Sequence, residues 1–210
     1  MVDIVEMTEL DFATGWWLDW GQDPQAGAAL PPQRCPVGDI VGLRSRPLQP
    51  GPGRPPLDYP LPGMRVTVSG RQIDLQFCGS TFNSNHCTHD GLLVAPRGRA
   101  TVDRAPLAIG FAPGVAAVGS FVAAGSFAAP VGARFAARLW VRLAGNQTFQ
   151  AAVTITGETG APLPAAPRSA PFLGARDRHG GRIVEARFDL APIGPEPVDQ
   201  IALAQLYALD

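Results

Sequence analysis

Glycine and proline recur so closely along this chain that a helix of ordinary length finds little room in it. The 210 residues include 24 Gly and 22 Pro, nearly twice the usual combined share of roughly 12%. They follow no Gly-X-Y period, which excludes collagen. Proline in a helix interior removes a hydrogen bond and clashes with the preceding turn, and glycine there is entropically unfavourable. The pattern therefore argues against helical bundles and wound βαβ architectures. With 46% apolar and only 17% charged residues, the chain still has enough oily surface to bury, so it is globular rather than disordered. The expectation is an all-β chain: a single domain over 1–210, built as an antiparallel two-sheet β-sandwich of jelly-roll type with long, irregular Pro/Gly-rich loops.

Alternation of apolar and polar positions marks the strands. It runs through Met64–Ser69, Gln72–Phe77, Leu92–Ala95, Leu107–Phe111, Val115–Val122, Arg134–Leu143, Phe149–Thr156, Arg182–Leu190 and Val198–Leu209. In Arg134–Leu143 the residues Phe135, Ala137, Leu139, Val141 and Leu143 share one face, and Arg134, Arg138, Trp140 and Arg142 the other. Arg182–Leu190 repeats the pattern, with Val184, Ala186, Phe188 and Leu190 inward and Glu185, Arg187 and Asp189 outward. A period of two with one wet face is the mark of an antiparallel sheet. The segment Pro47–Pro62 carries seven prolines and is read as a surface loop, an insertion at about 44–63 in the domain.

A formal net charge of −1 provides no clustered basic surface for nucleic acid, whose binding rests on releasing counterions from phosphates. No run of 18 apolar residues is present for a membrane helix, and no basic n-region followed by an apolar run opens the chain. The expectation is a protein with no nucleic-acid partner and no membrane insertion. The location expected is extracellular or on a cell or particle surface, by an unidentified route, with the cytoplasm still open.

Three constellations could carry chemistry. Cys78-Gly-Ser-Thr-Phe-Asn-Ser-Asn-His-Cys-Thr-His-Asp90 gathers two of the three cysteines and two of the three histidines. Zinc fits poorly: adjacent His86 and Cys87 point to opposite sides of an extended chain, and no Cys-x2-Cys pair is present. A disulfide between two of Cys35, Cys78 and Cys87, a Cys87 nucleophile and a self-satisfied polar loop all stay open. As a polar ligand site the loop offers Asn85, His86, His89 and Asp90. The second constellation, Gly15-Trp-Trp-Leu-Asp-Trp-Gly21, is a possible stacking platform for sugar rings through Trp17 and Trp20, with core packing as the alternative. Extended geometry puts Trp16, Leu18 and Trp20 on one side and Trp17 on the other. The third is the outward face of Arg138, Trp140 and Arg142, where an exposed indole needs covering by the arginine stems, by another subunit or by a ligand.

Further residues carry a resemblance. Leu107-Ala-Ile-Gly-Phe-Ala-Pro-Gly-Val-Ala-Ala-Val-Gly119, Ala170-Pro-Phe-Leu-Gly-Ala-Arg-Asp177, Gly180-Gly-Arg-Ile-Val-Glu-Ala-Arg-Phe188, Val198-Asp-Gln-Ile-Ala-Leu203 and the opening Glu9-Leu-Asp-Phe-Ala-Thr-Gly15 resemble PEP-CTERM-associated-type bacterial β-sandwich domains. These are similar to jelly-roll carbohydrate-binding modules. The resemblance implies glycan recognition and, as the one cofactor to consider, a structural calcium ion held near the first and last strands, here by Asp11 and Asp199. No P-loop, GxGxxG, HExxH, GxSxG or EF-hand pattern occurs, so the expected role is non-catalytic. Recognition of a cell-surface or extracellular glycan is the first expectation. The alternative is a structural subunit of a phage-like particle or surface appendage, meeting its neighbours through the Pro-rich loop and the Arg/Trp face.

Overall fold

A computed structural model describes residues 2–4, 15–18, 20, 34–36, 57–61, 63–70, 73–76, 92–96, 107–125, 132–159, 169–196 and 198–210. Among these every regular element is a β-strand and none is a helix. The strands form two sheets, and every pairing in both is antiparallel. An all-β fold with one wet sheet face is what the period-two pattern requires.

The eight-stranded sheet contains β1 (Val2–Ile4), β2 (Gly15–Leu18), β3 (Arg34–Pro36), β6 (Asp74–Gln76), β7 (Leu92–Pro96), β9 (Ala117–Gly125), β12 (Phe172–Asp177) and β14 (Gln200–Leu209). Its order is β1-β12-β9-β14-β2-β3, with β7 also paired to β14 and β6 paired to β7. β14 is the hub. Along one side it pairs with β9; along the other its first half pairs with β7 through Gln200–Leu203 and its second half with β2 through Leu206–Leu209. Between these halves the β9 register slips, leaving Ala204 and Gln205 outside the ladder. Buried carbonyls need partners, and side chains supply them. The Ser120 hydroxyl lies 3.0 Å from the Gln205 carbonyl and 3.3 Å from that of Ala204, and the Trp20 indole N–H donates to the Ala204 carbonyl.

The six-stranded sheet contains β4 (Leu57–Leu61), β5 (Met64–Gly70), β8 (Leu107–Val115), β10 (Arg134–Leu143), β11 (Gln150–Glu158) and β13 (Ile183–Ile193), in the order β11-β10-β13-β8-β5-β4. β4 corrects the reading of Pro47–Pro62 as loop throughout: Leu57–Leu61 is an edge strand on β5, joined to it by a turn at Gly63 with φ +71°. Proline is compatible with an edge because one side of such a strand has no ladder donor to supply, and Pro60 sits there. The expected strand Val115–Val122 is likewise divided, with Ala116 breaking it between β8 and β9.

Both sheets contribute to one continuous apolar core. Leu18, Leu93, Val118, Val122, Leu173, Leu203 and Leu206 enter it from the eight-stranded sheet, and Val66, Ile109, Phe135, Leu139, Val141, Phe188 and Leu190 from the other. The eight-stranded sheet is also buried on its second face, where Val94, Ala123, Ala202 and Ala204 cluster and the Phe121, Phe172 and Tyr207 rings meet edge to face. On the edge strand β11, Gly157 stands opposite Phe135, whose ring occupies the volume a Cβ at 157 would need, with ring carbons 2.7 and 2.9 Å from it. Gly157→Val is expected to destabilise by about 1–3 kcal/mol through overpacking, measured as a lower denaturation midpoint with an unchanged m-value.

Candidate ligand-binding face

The wet face of the six-stranded sheet carries an ordered ladder of charge. In register, Arg138 of β10 faces Asp189 of β13, Trp140 faces Arg187, and Arg142 faces Glu185. Each arginine opposite an acid closes on it. Arg138 donates to both oxygens of Asp189 at 2.7 and 2.9 Å. Arg142 donates to Glu185 Oε2 at 2.8 and 3.3 Å, while Arg187 donates to Oε1 at 2.9 Å. Three guanidiniums of this ladder thus share two carboxylates. Charge-assisted, two-pronged contacts of this kind fix geometry as well as energy. Arg187 also stacks over the Phe149 ring, 3.8 Å from its centroid, and Arg142 lies 5.8 Å from the same centroid, within cation–π range.

Trp140 is half-buried between the two ion-pair rungs. Its indole nitrogen is sealed from solvent and makes no hydrogen bond.

Beside this ladder lies a groove, and the backbone register shows how it is built. Arg142 of β10, Glu185 of β13, Gly110 of β8 and Thr67 of β5 stand opposite one another in a single row across four strands. Flanking Ile109, Phe111, Val66, Val68, Val141 and Ala186 are buried, so the row faces outward. At its centre Gly110 contributes no side chain; the nearest atom to a Cβ placed there is the Thr67 carbonyl oxygen at 3.8 Å. Next to the row β8 bows out. Two steps along β13, from Ile183 to Glu185, face five along β8, from Val115 to Gly110, and the bow includes a cis Ala112–Pro113 peptide. Such bulges re-aim side chains beside binding sites. Arg182 pins the bow by donating to the Gly114 carbonyl at 3.2 Å. The resulting open groove has a volume of about 490 Å³ and is walled by Ala112 on one side and by Arg142, Gly145 and Val184 on the other.

Of the residues expected from sequence to contact a ligand, Arg138, Trp140 and Arg142 share this face, and Arg142 lines the groove. Trp20 requires correction: it is fully buried in the core with Trp16 and Leu18, on the side that alternation assigns to all three, and its one polar atom is spent on Ala204. An indole in that position has no face to offer a sugar. Trp17 stands on β2 opposite Tyr207 and Cys35. Asp199 precedes β14 as an exposed residue whose N–H donates to the Gly125 carbonyl at 3.2 Å. Asn85, His86, His89, Asp90, Asp11, Cys78 and Cys87 lie outside the described residues. Among the described residues no three His, Cys, Asp or Glu side chains converge on a point where a metal ion could sit.

Sequence reasoning overlooked Gly110, Thr67 and Phe149, and took the outward arginines without their partners. A usable signal was present: Arg-x-Trp-x-Arg at 138–142 and Glu-x-Arg-x-Asp at 185–189 are complementary when their strands run antiparallel, and opposite charges facing each other stabilise such a register. No protein-family model, no curated protein and no solved structure matches the chain.

Proposed function

We propose that this chain is a non-catalytic binding module, a β-sandwich of jelly-roll type, that recognises a cell-surface or extracellular glycan through the groove on its six-stranded sheet. The supporting observation is the row Arg142–Glu185–Gly110–Thr67, in which a fixed acid–guanidinium pair and a hydroxyl surround a position with no side chain. Sugars present closely spaced hydroxyls that both donate and accept, so a site for them needs carboxylate, guanidinium and hydroxyl groups around a shallow, accessible floor. Ligand sites of this kind depend on contacting side chains that are locked in place, and Glu185, held by two guanidiniums, is so locked. The resemblance of the Leu107–Gly119 and Gly180–Phe188 segments to PEP-CTERM-associated-type domains, themselves similar in shape to jelly-roll carbohydrate-binding modules, points the same way. It also supports a location outside the cytoplasm.

A glycan array read alongside light scattering tests this. The expected result is a protein that stays monomeric and is retained by at least one class of glycan. A self-associating protein blind to every glycan overturns the proposal in favour of the particle or appendage subunit, in which the Arg/Trp face meets a neighbouring copy.

A further inference from the structure

Two guanidiniums converge on one carboxylate beside the groove, and that arrangement bears on which glycan fits. Glu185 accepts from two guanidiniums at once, Arg187 on Oε1 and Arg142 on Oε2. Beside the groove two guanidiniums therefore hold one carboxylate. Arg182, bonded to Gly114, holds the bow that forms the opposite wall. Resting on the glycan reading above, we propose that the groove binds a polysaccharide of uronic acids, with a sugar carboxylate received by Arg142.

The double hold on Glu185 makes the exchange feasible. When a ligand carboxylate takes Arg142, Arg187 still neutralises Glu185, so the protein does not leave an unpaired acid behind. Arg142 is the more accessible member, with 32% of its side chain exposed against 18% for Arg187. Its planar fork matches a carboxylate with two parallel bonds. Arg187 is held from the other side by stacking over Phe149, which leaves Arg142 as the guanidinium positioned to pivot. Gly110 admits the pyranose ring, because any side chain there would project into the groove. Thr67 stands beside it in the same row to meet ring hydroxyls.

Affinity electrophoresis of the full chain through gels containing polygalacturonate, alginate or hyaluronan tests the proposal, each polymer being paired with its carboxyl-reduced form. Reduction keeps the sugar and removes the charge. The expected result is retardation by at least one of the acidic polymers, weakened at least tenfold on carboxyl reduction, by Arg142→Gln and by Gly110→Val. The last substitution has room, since its Cβ meets nothing closer than 3.8 Å, so it blocks the groove without disturbing the core. Its thermal midpoint is the control for folding. Equal retardation by acidic and reduced polymers overturns the uronate assignment and leaves the glycan reading standing. So does retention of neutral glycans alone. Retardation that survives both substitutions moves the ligand away from this groove and overturns the inference. Failure of every polymer here, together with a blank glycan array, overturns both readings.

Discussion

Trp20→Ala is expected to lower the stability of the fold by about 3–5 kcal/mol, the range for truncating a large buried aromatic, and to do so without a ligand present. Trp20 is fully buried among residues of the core. It sits where β14 changes partner from β7 to β2, and its N–H caps the Ala204 carbonyl that the slipped β9 register leaves outside the ladder. Two losses combine in the alanine variant: a cavity of indole size and one of the two donors to the Ala204 carbonyl, which keeps only the Ser120 hydroxyl at 3.3 Å. Trp20→Phe separates them, because it keeps most of the volume and removes only the donor. It is expected to cost about 1 kcal/mol, the net worth of the lost hydrogen bond, since the Ser120 hydroxyl stays in reach of the same carbonyl. Chemical denaturation followed by circular dichroism measures both. A Trp20→Ala protein as stable as the parent but unable to bind glycans would restore the platform role that the sequence suggested.

That suggestion shows how far residue pattern alone can reach. Alternation placed Trp16, Leu18 and Trp20 together, and they are together, but periodicity has no sign: it groups side chains on a face without saying whether the face looks in or out. For β10 and β13 the sign is visible because the outward positions are Arg and Asp/Glu, which are seldom buried unpaired. Where a sheet is buried on both sides the alternation disappears. Phe172–Asp177 was not picked out by period for this reason, since Leu173 points into the main core while Phe172 packs on Phe121 and Tyr207 across the other face. β4 was hidden by its proline, which argues against a central strand but not against an edge. The candidate groove was illegible for a different reason. It depends on four residues spaced across positions 67 to 185, and what opens it is a missing side chain at Gly110 beside a register slip. A glycine on a strand reads as a weak spot in sequence and becomes a cavity only when its neighbours across the sheet are known.

The second large effect concerns the ion pair at the other end of the ladder. Asp189 is almost wholly enclosed, with 1% of its side chain exposed, whereas its partner Arg138 keeps 31%. The two residues are therefore unequal. Arg138→Leu strands a buried carboxylate with no countercharge, and it is expected to cost about 2–3 kcal/mol, below the full penalty for breaking a buried pair because water reaches the arginine end. Asp189→Leu leaves a guanidinium on a long flexible stem that can turn to solvent, and about 1 kcal/mol is expected. The double variant Arg138→Leu/Asp189→Leu replaces both charges with apolar volume beside Trp140, and should fall within about 1 kcal/mol of the parent, since a buried ion pair seldom outperforms a packed hydrophobic one. The double-mutant cycle, run by chemical denaturation, thus carries a coupling energy of at least about 2 kcal/mol. Equal costs for the two single variants would mean that Asp189 is reached by water after all. The double variant retains the fold and the charges of Arg142 and Glu185, so its affinity for acidic polymers stays within a factor of about three of the parent, a difference of under 1 kcal/mol. That outcome assigns Arg138 and Asp189 to the architecture of the face and leaves recognition to the row that crosses Gly110.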